Sequence, residues 1–227
     1  MSSHRDESLK KVGWLQTTHS HMTLVWKSTV ASLLIQVLVG GVTVWALTLK
    51  NDSGLLRTSL WLEVISQGIE FAWYSWVVCY FGSIQTWTRY IDWVFSTPVM
   101  LLSTALFLVH RDEDASKLDT AIYSTLALNA AMLAFGFALE TGVIPLAVGL
   151  LLGGVCFVGS FAVLALYVDE RDTLSVVLFM AMFVVWGLYG VAAAFPYAPK
   201  NVAYNALDLV SKNFYGVFLT LYLYNDG

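Results

Sequence analysis

Charge is scarce in this 227-residue chain: only 12% of residues are Asp, Glu, Lys or Arg, 12 of them basic and 16 acidic. There is no basic run to suggest a nucleic-acid partner, and none is expected. Cysteine is limited to Cys79 and Cys156, both inside apolar stretches, so no disulfide framework is available. No cluster with metal-ligand spacing occurs, and no metal is expected. Residues 1–20 are polar and lack the apolar core of a signal peptide, so the first apolar run is expected to direct insertion itself. Proline is rare as well, with four in the chain. What the chain has in quantity is hydrophobic side chains, 58% of the total. That is far above a soluble domain of this length.

Apolar runs of about 20 residues can cross a bilayer. Seven occur, at roughly 21–49, 56–81, 84–109, 118–139, 143–168, 173–195 and 202–224, the sixth ended by Pro196 and Pro199. The expected fold is an all-α membrane protein: a seven-transmembrane-helix bundle over 21–227, preceded by a polar N-terminal segment at 1–20. Loops after the first, third and fifth runs hold Lys50, Arg57, Arg111, Lys117 and Arg171; the opposite side holds Arg5, Lys10, Lys11 and Lys200. The positive-inside rule makes the first group cytoplasmic and the N-terminus extracellular. The lipid bilayer is the first partner.

Away from the ends of these runs stand six charged residues: Glu63, Glu70, Arg89, Asp92, Asp208 and Lys212. Lys27, near a helix end, can snorkel. Charges inside a bilayer are costly and point to function. Arg89 and Asp92 share a face at i, i+3, and Asp208 and Lys212 at i, i+4. Buried charges are tolerable only when paired, and Asp92 with Asp208 would balance a protonated nitrogen on Lys212. A lysine amine in a dry pocket is also the group that forms a Schiff base with a carbonyl compound.

The third run reads Arg89-Tyr90-Ile91-Asp92-Trp93-Val94-Phe95-Ser96-Thr97-Pro98. It resembles the microbial (type I) rhodopsins, whose third helix carries Arg-Tyr-x-Asp-Trp followed by Thr-Thr-Pro or a near variant. Leu207 to Lys212 resembles their retinal-lysine segment, Trp186-Gly187-Leu188-Tyr189 their Trp-x-x-Tyr, and Ile69 to Tyr74 their second-helix tyrosine region. The resemblance implies all-trans retinal bound to Lys212 as a protonated Schiff base. It implies Asp92 as primary counterion and proton acceptor, and Asp208 as second counterion. Arg89, Tyr74 and Ser96 would complete the counterion network, with Tyr74 and Tyr189 bonding Asp208. Trp93, Thr97, Trp186 and Tyr189 would line the polyene, with Phe157 and Phe161 as candidates for the ring end. Thr97 and Asn129 are candidates to couple the third and fourth helices.

The same resemblance leaves the transport mode open. Ser103 stands where outward proton pumps of the family carry a donor carboxylate, and Lys200 where well-studied pumps place a proton-releasing glutamate. Glu70 is mid-membrane, Glu63 lies two turns toward the cytoplasm, and Ser211-Lys212-Asn213 resembles channelrhodopsins. Their central gate joins a helix-one serine, here Ser32 or Ser28, to a helix-two glutamate and this asparagine. The short loops and Ser-Lys-Asn-Phe-Tyr-Gly also resemble rhodopsins of giant algal viruses. The leading expectation is a light-gated cation channel using Ser32, Glu63, Glu70, Ser103 and Asn213, with monovalent cations or protons as the permeating partner. A slow outward proton pump and a photosensor are the alternatives, and an enzyme is the least expected. A plasma-membrane location and a homo-oligomer are further expectations from the family.

Overall fold

The computed structural model describes residues 2–50, 53–80, 85–110, 118 and 120–226, the side chains of 2–21 and 226 excepted. The described residues form seven transmembrane helices: α1 Ser2–Ala46, α2 Gly54–Tyr80, α3 Arg89–Val109, α4 Ala121–Glu140, α5 Leu146–Leu164, α6 Thr173–Ala193, and α7. α7 is continuous but not uniform. It runs as an α-helix over Tyr197–Asp208, widens to a π-turn over Leu209–Asn213, and continues as an α-helix over Phe214–Asp226.

Five of these segments are long and apolar enough to cross a membrane on composition alone, in α1, α3, α4, α5 and α6. α2 and α7 fall short because they carry the inward-facing polar residues: Glu63, Gln67 and Glu70 on one, Asn201, Asn205, Asp208 and Lys212 on the other. Large apolar side chains such as Leu38, Val143, Leu151 and Leu166 cover the outer surface. Such an inside-out distribution suits lipid as the solvent, where only closed backbone hydrogen bonding survives.

Local chemistry sets the ends. Arg57 of α2 donates to the carbonyls of Leu47 and Leu49, at 3.3 and 2.8 Å, capping the open C-terminus of α1. Asp172 accepts from the Leu174 amide at 3.2 Å and so starts α6. Gly142, with φ 74°, ends α4 in the left-handed conformation that glycine adopts without steric cost. α4 then packs tightly on α5: Ser160 Oγ donates to the Thr125 carbonyl at 2.9 Å.

The first apolar span, Met22–Ala46, falls where the sequence puts it, and the α1 helix continues back from it to Ser2, because residues 2–20 contain no proline or glycine pair to stop it. One boundary differs from the sequence reading. Pro199 does not end the sixth helix. It lies in the first turn of α7, which begins at Tyr197 rather than 202. An amide in that turn has no intrahelical acceptor, so proline loses nothing there. Arg111 and Lys117 lie outside the described residues.

Candidate functional site

The site is built where α3 and α7 face each other across the bundle axis. Lys212 is almost wholly buried, and its Nζ donates to Asp92 Oδ2 at 2.6 Å. Asp208 Oδ1 stands 3.8 Å from the same nitrogen and Glu70 Oε1 3.9 Å. Three carboxylates therefore surround one amine. The third is a surprise: Glu70 was assigned to an ion path, and it also belongs to the counterion shell.

The two aspartates are not equivalent. Asp208 accepts from Tyr74 Oη at 2.8 Å, from Tyr189 Oη at 2.8 Å and from Arg89 Nη1 at 3.3 Å. Asp92 accepts only from Lys212 among the described residues, its Oδ1 being buried without a partner. Asp92 is the nearest of the three carboxylates to the Lys212 nitrogen, at 2.6 Å, and keeps an unpartnered oxygen. Ser96 is buried one turn along α3 from Asp92.

Arg89 closes one end of this cluster. Its guanidinium donates to Asn205 Oδ1 at 2.5 Å, to Asn201 Oδ1 at 3.1 Å and to the Asn201 carbonyl at 3.3 Å. Its face lies 4.9 Å from the Trp73 ring. Asn201 and Asn205 were missed in the sequence. Their signal was the polar stripe Asn201, Asn205, Asp208, Lys212 at steps of four, three and four, which keeps one helix face.

On the α4–α6 side, Lys212 opens into an apolar cavity of about 240 Å³. Trp93, Thr97, Met100, Leu133, Phe157, Trp186 and Tyr189 are among its lining residues. Thr97 is fixed by donating to the Trp93 carbonyl at 2.7 Å and accepting from Asn129 Nδ2 at 2.8 Å, which ties α3 to α4. Phe161 packs behind the wall, 5.7 Å from Trp186, and is not itself part of the lining. An apolar, aromatic slot ending in a buried primary amine fits a long polyene aldehyde. Flat rings flank the chain, and the amine sits where the aldehyde carbon would arrive.

The expected ion-path residues are only partly joined. Asn213 Nδ2 donates to Glu70 Oε2 at 2.9 Å. Ser32 does not join them: its hydroxyl donates to the Asn205 carbonyl at 3.0 Å, toward the Arg89 end. Ser28 accepts from Asn205 Nδ2 at 2.8 Å and is equally committed. The helix-one member of the expected gate is therefore missing, because the asparagine stripe of α7 captures both serines. Glu63 lies buried on the side of Lys212 opposite Arg89, accepting from Gln67 Nε2 at 3.2 Å. Ser103 is tied to Ser59, its hydroxyl 3.0 Å from Ser59 Oγ and donating to the Ser59 carbonyl at 2.9 Å. Lys200 pairs with Glu140 at 2.9 Å.

Similarity to known proteins agrees with this geometry. The bacteriorhodopsin-like protein family matches residues 24–225. The solved structure of the viral rhodopsin OLPVRII superposes with a TM-score of 0.83 at 28% identity, covering 89% of this chain and 98% of that one. Halorhodopsin from Halobacterium salinarum in a bromide-bound form gives 0.75 at 16%, covering 92% and 97%. Blue light-absorbing proteorhodopsin from Med12 gives 0.72 at 19%, covering 89% and 97%. The latter two speak for the fold alone. No curated protein matches. The chain belongs to the bacteriorhodopsin-like family, the retinal-binding microbial rhodopsins of the membrane, and Lys212 is the lysine present for the Schiff base.

Proposed function

We propose that this protein is a light-driven outward proton pump of the plasma membrane, with Asp92 as acceptor and Glu63 as the returning donor. The observation that carries this reading is the division of buried carboxylates about Lys212. Asp92 and Asp208 lie on the side closed by Arg89, and Glu63 lies alone on the other. The Lys and Arg bias of the loops makes the Arg89 side extracellular.

Retinal, when bound, supplies a light-driven isomerisation that reorients the nitrogen on Lys212. The protein's residues do the rest. Asp92, 2.6 Å away, takes the nitrogen's proton. Asp208, fixed by its three hydrogen bonds, stays in place beside the nitrogen. Arg89, held between Asn201 and Asn205, answers the loss of negative charge on Asp92 by shifting toward the outside. Glu63 then restores the proton through a stretch whose buried polar atoms, including Ser66 Oγ, Gln67 Oε1 and Asn213 Oδ1, have no protein partner among the described residues. Such groups are ordinarily satisfied by internal water, which relays protons. On this reading the donor is Glu63 on α2, and Ser103, whose hydroxyl is bound to Ser59, takes no part.

A second reading, a light-gated cation channel, is favoured by one observation: the Glu70–Asn213 bond at 2.9 Å, a bolt that light could draw. Voltage-clamped photocurrents separate the two. The pump gives outward current at zero voltage without any ion gradient, and Glu63→Gln slows its recovery at least tenfold. A current that reverses with the cation gradient would replace the pump by the channel.

A further inference from the structure

An amide stands between Glu63 and Lys212. Glu63, Gln67 and Glu70 follow one another at steps of four and three, so they share one face of α2. The Glu70 end of that face lies 3.9 Å from Lys212 Nζ. Gln67 is the residue midway. It is 7% exposed, and its Nε2 donates to Glu63 Oε1 at 3.2 Å.

The fold makes room for this side chain on α7. A Cβ on Gly216 would overlap Gln67 Nε2 and would stand 2.8 Å from Thr43 Oγ1 of α1. Glycine weakens a helix interior, and here the missing side chain is the space that Gln67 occupies. Gln67 Oε1 borders α1, 3.6 Å from where a Cβ on Gly40 would stand. The amide is thus lodged where α1, α2 and α7 meet. Its hydrogen bond also distinguishes the two oxygens of Glu63. Oε1 is engaged, while Oε2 is buried without a partner among the described residues. A protonated carboxyl accepts through its carbonyl oxygen and donates through its hydroxyl. An N–H held against Oε1 makes that atom the carbonyl and puts the proton on Oε2. Ser66 Oγ, Gln67 Oε1 and Asn213 Oδ1 are buried without such partners too, a setting that internal water bridges.

We propose that Gln67 is the positioning residue of the returning proton: lodged in the notch that Gly216 leaves, its amide fixes the Glu63 carboxyl with the proton on Oε2, open to the polar stretch that leads to Lys212. The role rests on Glu63 being the donor and adds the group that orients it. In the step itself the Oε2–H bond breaks, a proton is delivered to the Lys212 nitrogen, and Glu63 is left a carboxylate that the same N–H still bonds.

The test follows the retinal-loaded protein in lipid by flash photolysis, with infrared spectra taken with and without retinal. Gln67→Met keeps the length of the side chain and loses its N–H. Gly216→Ala keeps the amide and fills its notch. The visible band of each variant reports that it has folded. Both are expected to slow the return of the proton to the Lys212 nitrogen by about tenfold or more, with transfer to Asp92 at its original rate. In a Gln67→Ala background, Gly216→Ala should add less than about twofold, because nothing is left for the methyl group to displace. Gly68→Ala, at an exposed glycine of α2 with open space, is the control and keeps the original rate. The Glu63 carbonyl band, identified by its loss in Glu63→Gln, should move to higher frequency in Gln67→Met, since a carbonyl freed of its N–H donor stiffens. A merely structural Gln67 would leave that band in place. Glu63→Gln separates the two ideas. If it leaves the return rate unchanged, Glu63 is not the donor and both fall. If it slows the return while Gln67→Met and Gly216→Ala do not, and the band stays, the positioning role alone is overturned.

Discussion

Replacing Arg89 by Gln should uncover how much of the bundle's stability is electrostatic. Arg89 is 3% exposed and faces Asp208 at 3.3 Å. At an effective dielectric of about 20, two unit charges at that separation attract by about 5 kcal/mol. Breaking a buried pair typically costs about 3–5 kcal/mol, since the partner is left charged and unpaired. Arg89→Gln alone should therefore lose about 3–5 kcal/mol, and Asp208→Asn alone a similar amount. The double variant leaves neither charge stranded, so it should lose about 2–3 kcal/mol less than the sum. Arg89→Lys keeps the charge but not the fork that holds Asn201 and Asn205, and should lose about 1–3 kcal/mol. Titration of the detergent-solubilised pigment with a denaturing detergent, followed by loss of the visible band, measures all four. Losses that add within about 0.5 kcal/mol in the double variant would refute the pairing argument.

Other outcomes follow from single contacts. Lys212→Ala should form no visible pigment with added retinal, checked by absorbance; a band that still appears would move the attachment elsewhere. Gly136→Ala should destabilise by about 1–3 kcal/mol through overpacking against Tyr90, whereas Gly154→Ala should be neutral or stabilising; a common denaturation assay ranks them. Asn129→Leu removes the bond to Thr97 and should cost about 1–3 kcal/mol with the Thr97 hydroxyl still in place, read by the same assay. Asn213→Ala should alter photocurrent reversal only in a channel; in the pump, current direction at zero voltage should be unchanged.

The bundle was readable because lipid imposes one rule on every span, and apolar runs of the right length report it. The pairing of Lys212 with Asp92 and Asp208 was readable because unpaired charge has no place in a membrane. Three features were not. Ser32 was assigned to a gate with Glu70 and Asn213. A hydroxyl bonds whichever acceptor is nearest in space, and here that is the Asn205 carbonyl. Glu70 was seen as a pathway residue, since no spacing within α2 tells that it meets an amine on α7. Pro199 reads as a helix stop by residue type, but its position within the first turn of α7 decides what it does.

The π-turn of α7 amounts to one residue more than a regular helix needs. Each α-helical residue advances the rotation by about 100°, and the widened turn takes up one such step, so the helix beyond it keeps its face. Deleting Val210, which is 41% exposed, would leave a shorter and more regular helix. Because the wide turn absorbs the extra residue, Tyr215, Leu219 and Leu223 would keep the core positions they now fill, at 4%, 0% and 2% exposure. What the deletion would change is the spacing of Asp208 and Lys212, from four residues to three, and with it the placing of the carboxylate beside the amine. The turn thus sets the geometry of the charged pair and leaves the packing beyond it untouched.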